Sequence, residues 1–178
     1  VAFTLKYLGY SANSVVKEEL IEAMEVMLES KHDDKCLGFE ANVGGLQKVI
    51  AGTADMAIAY SGDVLQAMEE NPNLGYLVPS EGSVVWSDNM VIPAEAPNLE
   101  MAYAFIDFIL DAEIGARLST YNWYATPNAA SLPMIPEEQL SDPAIYPDAA
   151  AFAKLEYIED LGDNSKIHSE LWQMIKTR

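Results

Sequence analysis

The amino-acid sequence predicts an α/β layered fold, with helices flanking a sheet, and three features lead there. Leu20, Ala23, Met24, Met27 and Leu28 recur at helical spacing, with acidic residues on the opposite face. The run Ala54-Asp55-Met56-Ala57-Ile58-Ala59-Tyr60 is almost wholly apolar, the pattern of a strand buried on both faces of a parallel sheet. Around these segments, helix signals alternate with extended ones, an order that layers helices on a sheet.

Taken in order, an apolar helix is expected from Val1 to Leu8, stopped by Gly9. A second helix covers about 15–30, and a charged turn follows at 31–35. Asn42-Val43-Gly44-Gly45 leads into a short helix over 46–51, closed by Gly52. After the apolar run at 54–60, Ser61-Gly62-Asp63 supplies N-cap chemistry for a helix reaching Glu70. Asn71-Pro72-Asn73 turns the chain into a short strand at 74–79, and Glu81-Gly82 precedes an extended segment at 83–92. Asn98 caps a helix through Ile109, with Ala102, Phe105, Ile106, Phe108 and Ile109 as its expected core face. A helix over 112–121 follows, then a loop at 122–128 and a proline-rich crossing segment at 131–147. Short helices near 148–155 and 165–176 complete the reading. No internal repeat or low-complexity tract is present.

The 178 residues suffice for one domain with a substantial core. The 28 acidic and 10 basic residues leave a formal net charge of −18. Such a surface repels phosphate backbones, so no nucleic-acid partner is expected. It suits cationic partners, although acidic excess also serves solubility. No apolar stretch approaches the roughly 20 residues that span a bilayer. Cys36 is the sole cysteine, which excludes an internal disulfide, and His32 and His168 lie far apart without companion ligands. No metal or cofactor is expected. The start carries no signal-peptide pattern. Because Val1 already lies inside a helical pattern, a preceding segment is expected.

Gly44-Gly45 lacks both the lysine–serine pair of a phosphate loop and the spacing of a dinucleotide fingerprint. No Gly-x-Ser-x-Gly elbow occurs. Carboxylates are numerous, but most fall on helix surfaces where solvation is their usual role, so the chain is not expected to be an enzyme. The segment Val84-Val85-Trp86-Ser87-Asp88-Asn89 carries a more specific signal. On a strand, residues two apart share a face, so the Trp86 indole and the Asp88 carboxylate would project together. Cation–π attraction is worth about 0.5–2 kcal/mol for an ammonium group, and a carboxylate adds a charge-assisted hydrogen bond. This pair suits a small organic cation. A core tryptophan beside a turn-forming aspartate has the same local pattern. Tyr60, at the carboxyl end of the expected strand, and Tyr124, in Asn122-Trp123-Tyr124-Ala125-Thr126-Pro127-Asn128, either line the same pocket or pack as an aromatic rim.

The fragments Leu8-Gly9-Tyr10-Ser11, Gly52-Thr53-Ala54-Asp55-Met56-Ala57, Tyr60-Ser61-Gly62, Pro79-Ser80-Glu81-Gly82, Trp86-Ser87-Asp88, Val91-Ile92-Pro93, Tyr124-Ala125-Thr126-Pro127-Asn128 and Tyr146-Pro147-Asp148 occur in an order and spacing that cover nearly all of the chain. In these the chain resembles the C-terminal half of the spermidine/putrescine-binding proteins of bacterial polyamine ABC transporters. The resemblance implies a periplasmic-binding-protein type II-like lobe with crossover segments. It assigns about 1–85 and 131–178 to one lobe and about 86–130 to part of the other. It further implies that Trp86 stacks on polyamine methylenes, that Asp88 binds an amino group and that Tyr124 is a pocket tyrosine. Tyr60 falls where well-known members carry a tryptophan, and Ile158 where spermidine binders carry a glutamine.

The function so implied is capture of a polyamine, spermidine or putrescine, at the periplasm or the outer face of the cytoplasmic membrane. Delivery to membrane ABC permease subunits follows, without chemistry, and the receptor is expected to be a monomer. The family also draws pocket residues from the part of the chain before Val1, so weak binding by this chain alone is expected. A receptor of the same fold for an amino acid derivative, a sugar or chelated iron is the alternative, followed by a carboxylate-using enzyme or the effector-sensing domain of a regulator.

Overall fold

Residues 1–40 and 42–178 are described in the computed structural model of the chain, and most helices start and stop close to their cap signals. The chain divides into two units. Unit 1 comprises Val1–Glu40, Val78–Trp86 and Ala149–Arg178, and unit 2 comprises Ala41–Leu77 and Ser87–Asp148.

In unit 1, helix α1 (Ala2–Tyr7) packs on α2 (Lys17–His32). Helix α2 starts two residues later than its periodicity suggests, because the Ser14 side chain organises the entry. Its hydroxyl accepts from the Val16 N–H at 3.1 Å and donates to the Glu19 carboxylate. Glu18 and Glu19 in the first turn, with Lys31 and His32 in the last, complement the helix dipole. The buried stripe Leu20, Ala23 and Met27 packs with Leu5, and with Leu171 and Ile175 from the C-terminal helix Ser165–Thr177. Lys31 Nζ reaches the end of that helix, donating to the carbonyls of Ile175 at 2.9 Å and Lys176 at 3.1 Å. These carbonyls have no partner within their own helix. His168, expected at the surface, is half-buried, with Nε2 2.8 Å from the Ser14 carbonyl oxygen.

Among the described residues the sheet has two parallel strands, β1 (Ser83–Val85) and β2 (Leu155–Tyr157), with Val84 opposite Glu156. Strand β2 stands where the sequence suggests the end of a helix, which instead covers only Ala149–Phe152. Gly82 enters β1 with φ 98°, and a Cβ there would lie 2.3 Å from the Lys154 carbonyl oxygen. Glu156 projects from β2 toward α1 and the turn after it. Its carboxylate accepts from Lys6 Nζ at 3.2 Å, the Ala12 N–H at 2.9 Å, Asn13 Nδ2 at 3.2 Å and the Ser11 hydroxyl. Desolvation raises its pKa, but the hydrogen bonds from Ser11, Ala12 and Lys6 and the charge of Lys6 prevail and hold it at about 2.

Unit 2 contains α3 (Gly44–Ile50), α4 (Ser61–Glu70), α5 (Leu99–Leu110), α6 (Ala112–Asn122) and α7 (Glu137–Leu140). The Asn98 cap is present, its side chain accepting from the Met101 N–H at 3.0 Å. Asp111 ends α5 and caps α6, accepting from the N–H groups of Glu113 at 3.0 Å and Ile114 at 3.1 Å. The core of this unit draws on Leu46, Val64, Leu65, Ala116, Ile135 and Ile145.

Four expectations are corrected. The run at 54–60 forms no strand, and Met56 and Ile58 are 89% and 70% exposed. Among the described residues no strand pairs with it, and an extended segment without a ladder buries neither face. Likewise 74–79 is irregular, and the extended segment at 83–92 is a strand only over Ser83–Val85. Helix α5 has no buried residue, with Phe105 and Phe108 57% and 55% exposed, so its apolar face is not a core face within the described residues.

The units are also drawn differently from the expected lobes. Both divisions change near Trp86, but Ala41–Leu77 and 131–148 group with Ser87 onward. The bonds responsible lie inside unit 2: Gln66 Nε2 donates to the Tyr121 carbonyl at 2.9 Å, and Gln139 Nε2 to the Thr120 carbonyl at 3.2 Å.

Two outcomes test this account. Glu156→Gln is expected to lower stability at pH 7 by about 1–2 kcal/mol, the range for charged hydrogen bonds reduced for partial exposure. The Glu156 pKa is depressed on folding, so its contribution is present above the unfolded value of 4.5 and is lost as pH falls toward about 2. Urea midpoints of the two proteins should therefore converge over that interval. Gly82→Ala should cost about 2–4 kcal/mol, because it adds both strain at positive φ and a clash with backbone; thermal unfolding measures it.

Candidate functional site

Two of the four residues singled out in the sequence are brought together in unit 2. Tyr60 is the N-cap of α4, with extended backbone at φ −74° and ψ 137°, and its side chain does not cap the helix. Tyr124 follows α6, whose C-cap Trp123 adopts the left-handed conformation at φ 61°. Such a conformation is unfavourable for a bulky residue and persists where neighbouring bonds enforce it. Here the Ser119 hydroxyl donates to the Tyr124 carbonyl at 2.5 Å, and the Tyr124 N–H donates to Asn122 Oδ1 at 3.0 Å. The Thr126 N–H donates to the Tyr146 hydroxyl at 3.3 Å, tying down the rest of the loop.

These bonds turn the Tyr124 ring onto the first turn of α4. A Cβ on Gly62 would lie 2.3 Å from Tyr124 Cε2, 2.5 Å from Cδ2 and 2.6 Å from the Asn122 carbonyl oxygen. Gly62 does not have a positive φ; the close approach of the ring is what requires it. Burial pushes the Tyr124 pKa up, and the charge of the nearby Asp63 adds to this. Tyr60 also acts electrostatically on the Tyr124 phenol. Burial raises the pKa of Tyr76, and the nearby Ser61 side chain opposes that shift.

Asp63 and Gly62 are additions to the sequence reading. Ser61-Gly62-Asp63 signalled a helix start there, and nothing local indicated that a ring 62 positions after Gly62 would rest on it. Asp63 also stands at one end of an open groove of about 280 Å³ between α3 and α4, lined by Leu46, Ile50, Gln66 and Glu70 among others.

Trp86 is the last residue of unit 1, directly after β1, and is 44% exposed. Asp88 is exposed and belongs to the segment that opens the second part of unit 2. Because β1 ends at Val85, the two-residue alternation of a regular strand does not extend over Trp86 and Asp88. Ile158 is half-exposed at the end of β2, its N–H donating to the Val85 carbonyl at 3.0 Å. Among the described residues no group of three or more His, Cys, Asp or Glu is arranged to hold a metal ion, and no helix is long and apolar enough to cross a membrane.

Removing the Ser119 hydroxyl isolates one support of the Tyr124 loop. Ser119→Ala should lower stability by about 1 kcal/mol, the usual value of one hydrogen bond whose acceptor is left partly buried, read from the denaturant midpoint.

Comparison with known proteins bears on what this arrangement serves. Residues 1–163 match the family model described as bacterial extracellular solute-binding protein. The chain is 34% identical to a putrescine/cadaverine-binding protein of Pseudomonas aeruginosa over 181 aligned positions, covering 98% of the chain and 50% of that protein. It is 30% identical to a spermidine/putrescine-binding periplasmic protein of Salmonella typhimurium, covering 97% of the chain and 49% of that protein. Among solved structures, it superposes on a putative spermidine/putrescine ABC transporter protein from Listeria monocytogenes with TM-score 0.81 and 30% identity, covering 97% of the chain and 53% of that one. A spermidine/putrescine ABC transporter substrate-binding protein from Streptococcus pneumoniae gives TM-score 0.75 and 31% identity, covering 98% and 53%. The chain therefore spans about half the length of the relatives it matches. With most of its residues matched and its α/β fold shared with these structures, the chain belongs to the bacterial extracellular solute-binding proteins.

Proposed function

We propose that this chain is part of a receptor that captures a polyamine outside the cytoplasmic membrane and delivers it to the permease subunits of an ABC transporter. The observation that carries this reading is the Tyr60 and Tyr124 pair at the start of α4 with the Asp63 carboxylate beside it, in a chain related along its length to proteins named for binding diamines and spermidine. Aromatic faces attract ammonium groups and cover methylenes, and carboxylates accept from them, so this side-chain set discriminates an amine from a neutral sugar. Trp86 and Asp88 contribute the same two chemistries, and the four residues Trp86, Asp88, Tyr60 and Tyr124 contact the ligand. The net charge of −18 favours the approach of a cation.

The receptor works as a monomer by binding and release, without catalysis, in the periplasm or on the outer face of the cytoplasmic membrane. Ile158 offers no amide to a secondary amine, which favours a diamine such as putrescine over spermidine. Its hydrocarbon side chain can cover methylenes but cannot accept from an internal nitrogen.

Calorimetric titration with putrescine, cadaverine, spermidine, arginine and a sugar panel tests the assignment. Selective amine binding is expected, weakened in Asp88→Asn by on the order of 1.5–3 kcal/mol, the range for a hydrogen bond to a charged group. Binding of sugars in preference to amines, or an Asp88→Asn variant with unchanged amine affinity, defeats it.

A further inference from the structure

We propose that helix α5 and the run at 54–60 are the surface of unit 2 that receives the other half of the receptor. In the completed fold α5 is an internal helix and the run is a strand paired by that half. The inference rests on the chain's membership of the solute-binding family and not on which solute is bound.

Both segments belong to unit 2, and both have the composition of interior structure without its burial. Helix α5 reads Leu-Glu-Met-Ala-Tyr-Ala-Phe-Ile-Asp-Phe-Ile-Leu, and its charged residues are Glu100 and Asp107 alone. A surface helix needs one apolar stripe, whereas a helix apolar on nearly every side belongs in a core. One stripe is already engaged: α6 packs on α5, and Ala102, Ile106 and Ile109 are partly buried. Met101, Phe105 and Phe108 repeat the same spacing about 100° round the helix, and all three are exposed.

The run at 54–60 has the matching deficit. Met56 and Ile58 are exposed, and among the described residues no hydrogen bond involves a backbone group from Met56 to Ala59. Unpaired backbone in an apolar segment is a template for a neighbouring strand. Exposed apolar surface of this kind marks a protein contact.

The length of the relatives points to the occupant. The chain spans about half of their length, and the Listeria monocytogenes structure holds nearly as much chain again outside the superposed part. Permanent interfaces are large and apolar, which is the character of α5. A second copy fits less well, because two molecules of net charge −18 repel one another.

The test fuses to this chain the half of the Pseudomonas aeruginosa relative that it does not match, in that protein's own order, and compares the fusion with the chain alone. The Met56–Ala59 amides should exchange on the order of a hundredfold more slowly in the fusion, as expected of a new ladder. Met56→Lys and Phe105→Lys should leave the thermal midpoint of the chain alone nearly unchanged and lower that of the fusion by about 5 °C. A second measurement does not need the fusion to fold. The two halves, refolded together as separate polypeptides, should elute as a one-to-one complex that each substitution weakens at least about tenfold. Unchanged exchange in a folded fusion, equal effects of the substitutions on both proteins, or no complex between the halves overturns the proposal. So does a dimer of the chain alone, seen by sedimentation, that either substitution dissociates, since a second copy is then the occupant. A fusion that binds no amine defeats the proposed function and leaves these readouts as they are.

Discussion

The carboxylate of Glu156 gathers donors from Lys6, Ser11, Ala12 and Asn13, and much of unit 1 depends on that convergence. A carboxylate drawn even partly out of water loses hydration, and the loss must be made good by donors in the right geometry. Here the donors come from α1 and the turn that follows it, while the carboxylate comes from the middle of β2. One charged group thus joins the N-terminal helix to a strand about 150 positions later in the chain. The same residue sits opposite Val84 in the β1–β2 register, so the tie also sets where β1 lies. Trp86 follows β1 directly, and its starting position is inherited from this bond network.

Unit 2 solves a different problem, the termination of consecutive helices. Asp111 closes α5 and opens α6, and Asn98 opens α5, in each case with a carbonyl-type oxygen accepting from first-turn N–H groups. Helix α4 lacks that local device, and the Tyr124 ring packs on its first turn. This explains why glycine stands at position 62 although its backbone conformation does not call for it.

The amine-binding reading combines these elements. Aromatic surface and carboxylate charge stand together at the start of α4, and Trp86 and Asp88 repeat that chemistry after β1. The strongly acidic composition acts over a longer range and brings cations to the surface without specifying which one. In that reading, selection among amines would rest on the spacing of rings and carboxylates, which rigid supports define better than loops.

The sequence by itself determined the helices and the chemical character of the site. Apolar spacing marked α2 and the C-terminal helix, and Asn98 and Ser61-Gly62-Asp63 marked helix starts, because caps and periodicity are local properties of a few adjacent residues. Trp86, Asp88, Tyr60 and Tyr124 were legible as aromatic and acidic residues near element ends, and their order resembled one receptor family. Only the tertiary structure decided the sheet. The run at 54–60 has the composition of a buried strand yet makes no ladder, whereas Leu155–Tyr157, undistinguished in sequence, pairs with Ser83–Val85. A strand exists through its partner, and no window of sequence contains both. The same reason hid Gly62: its importance comes from Tyr124, whose ring reaches it only after α6 and α4 have packed.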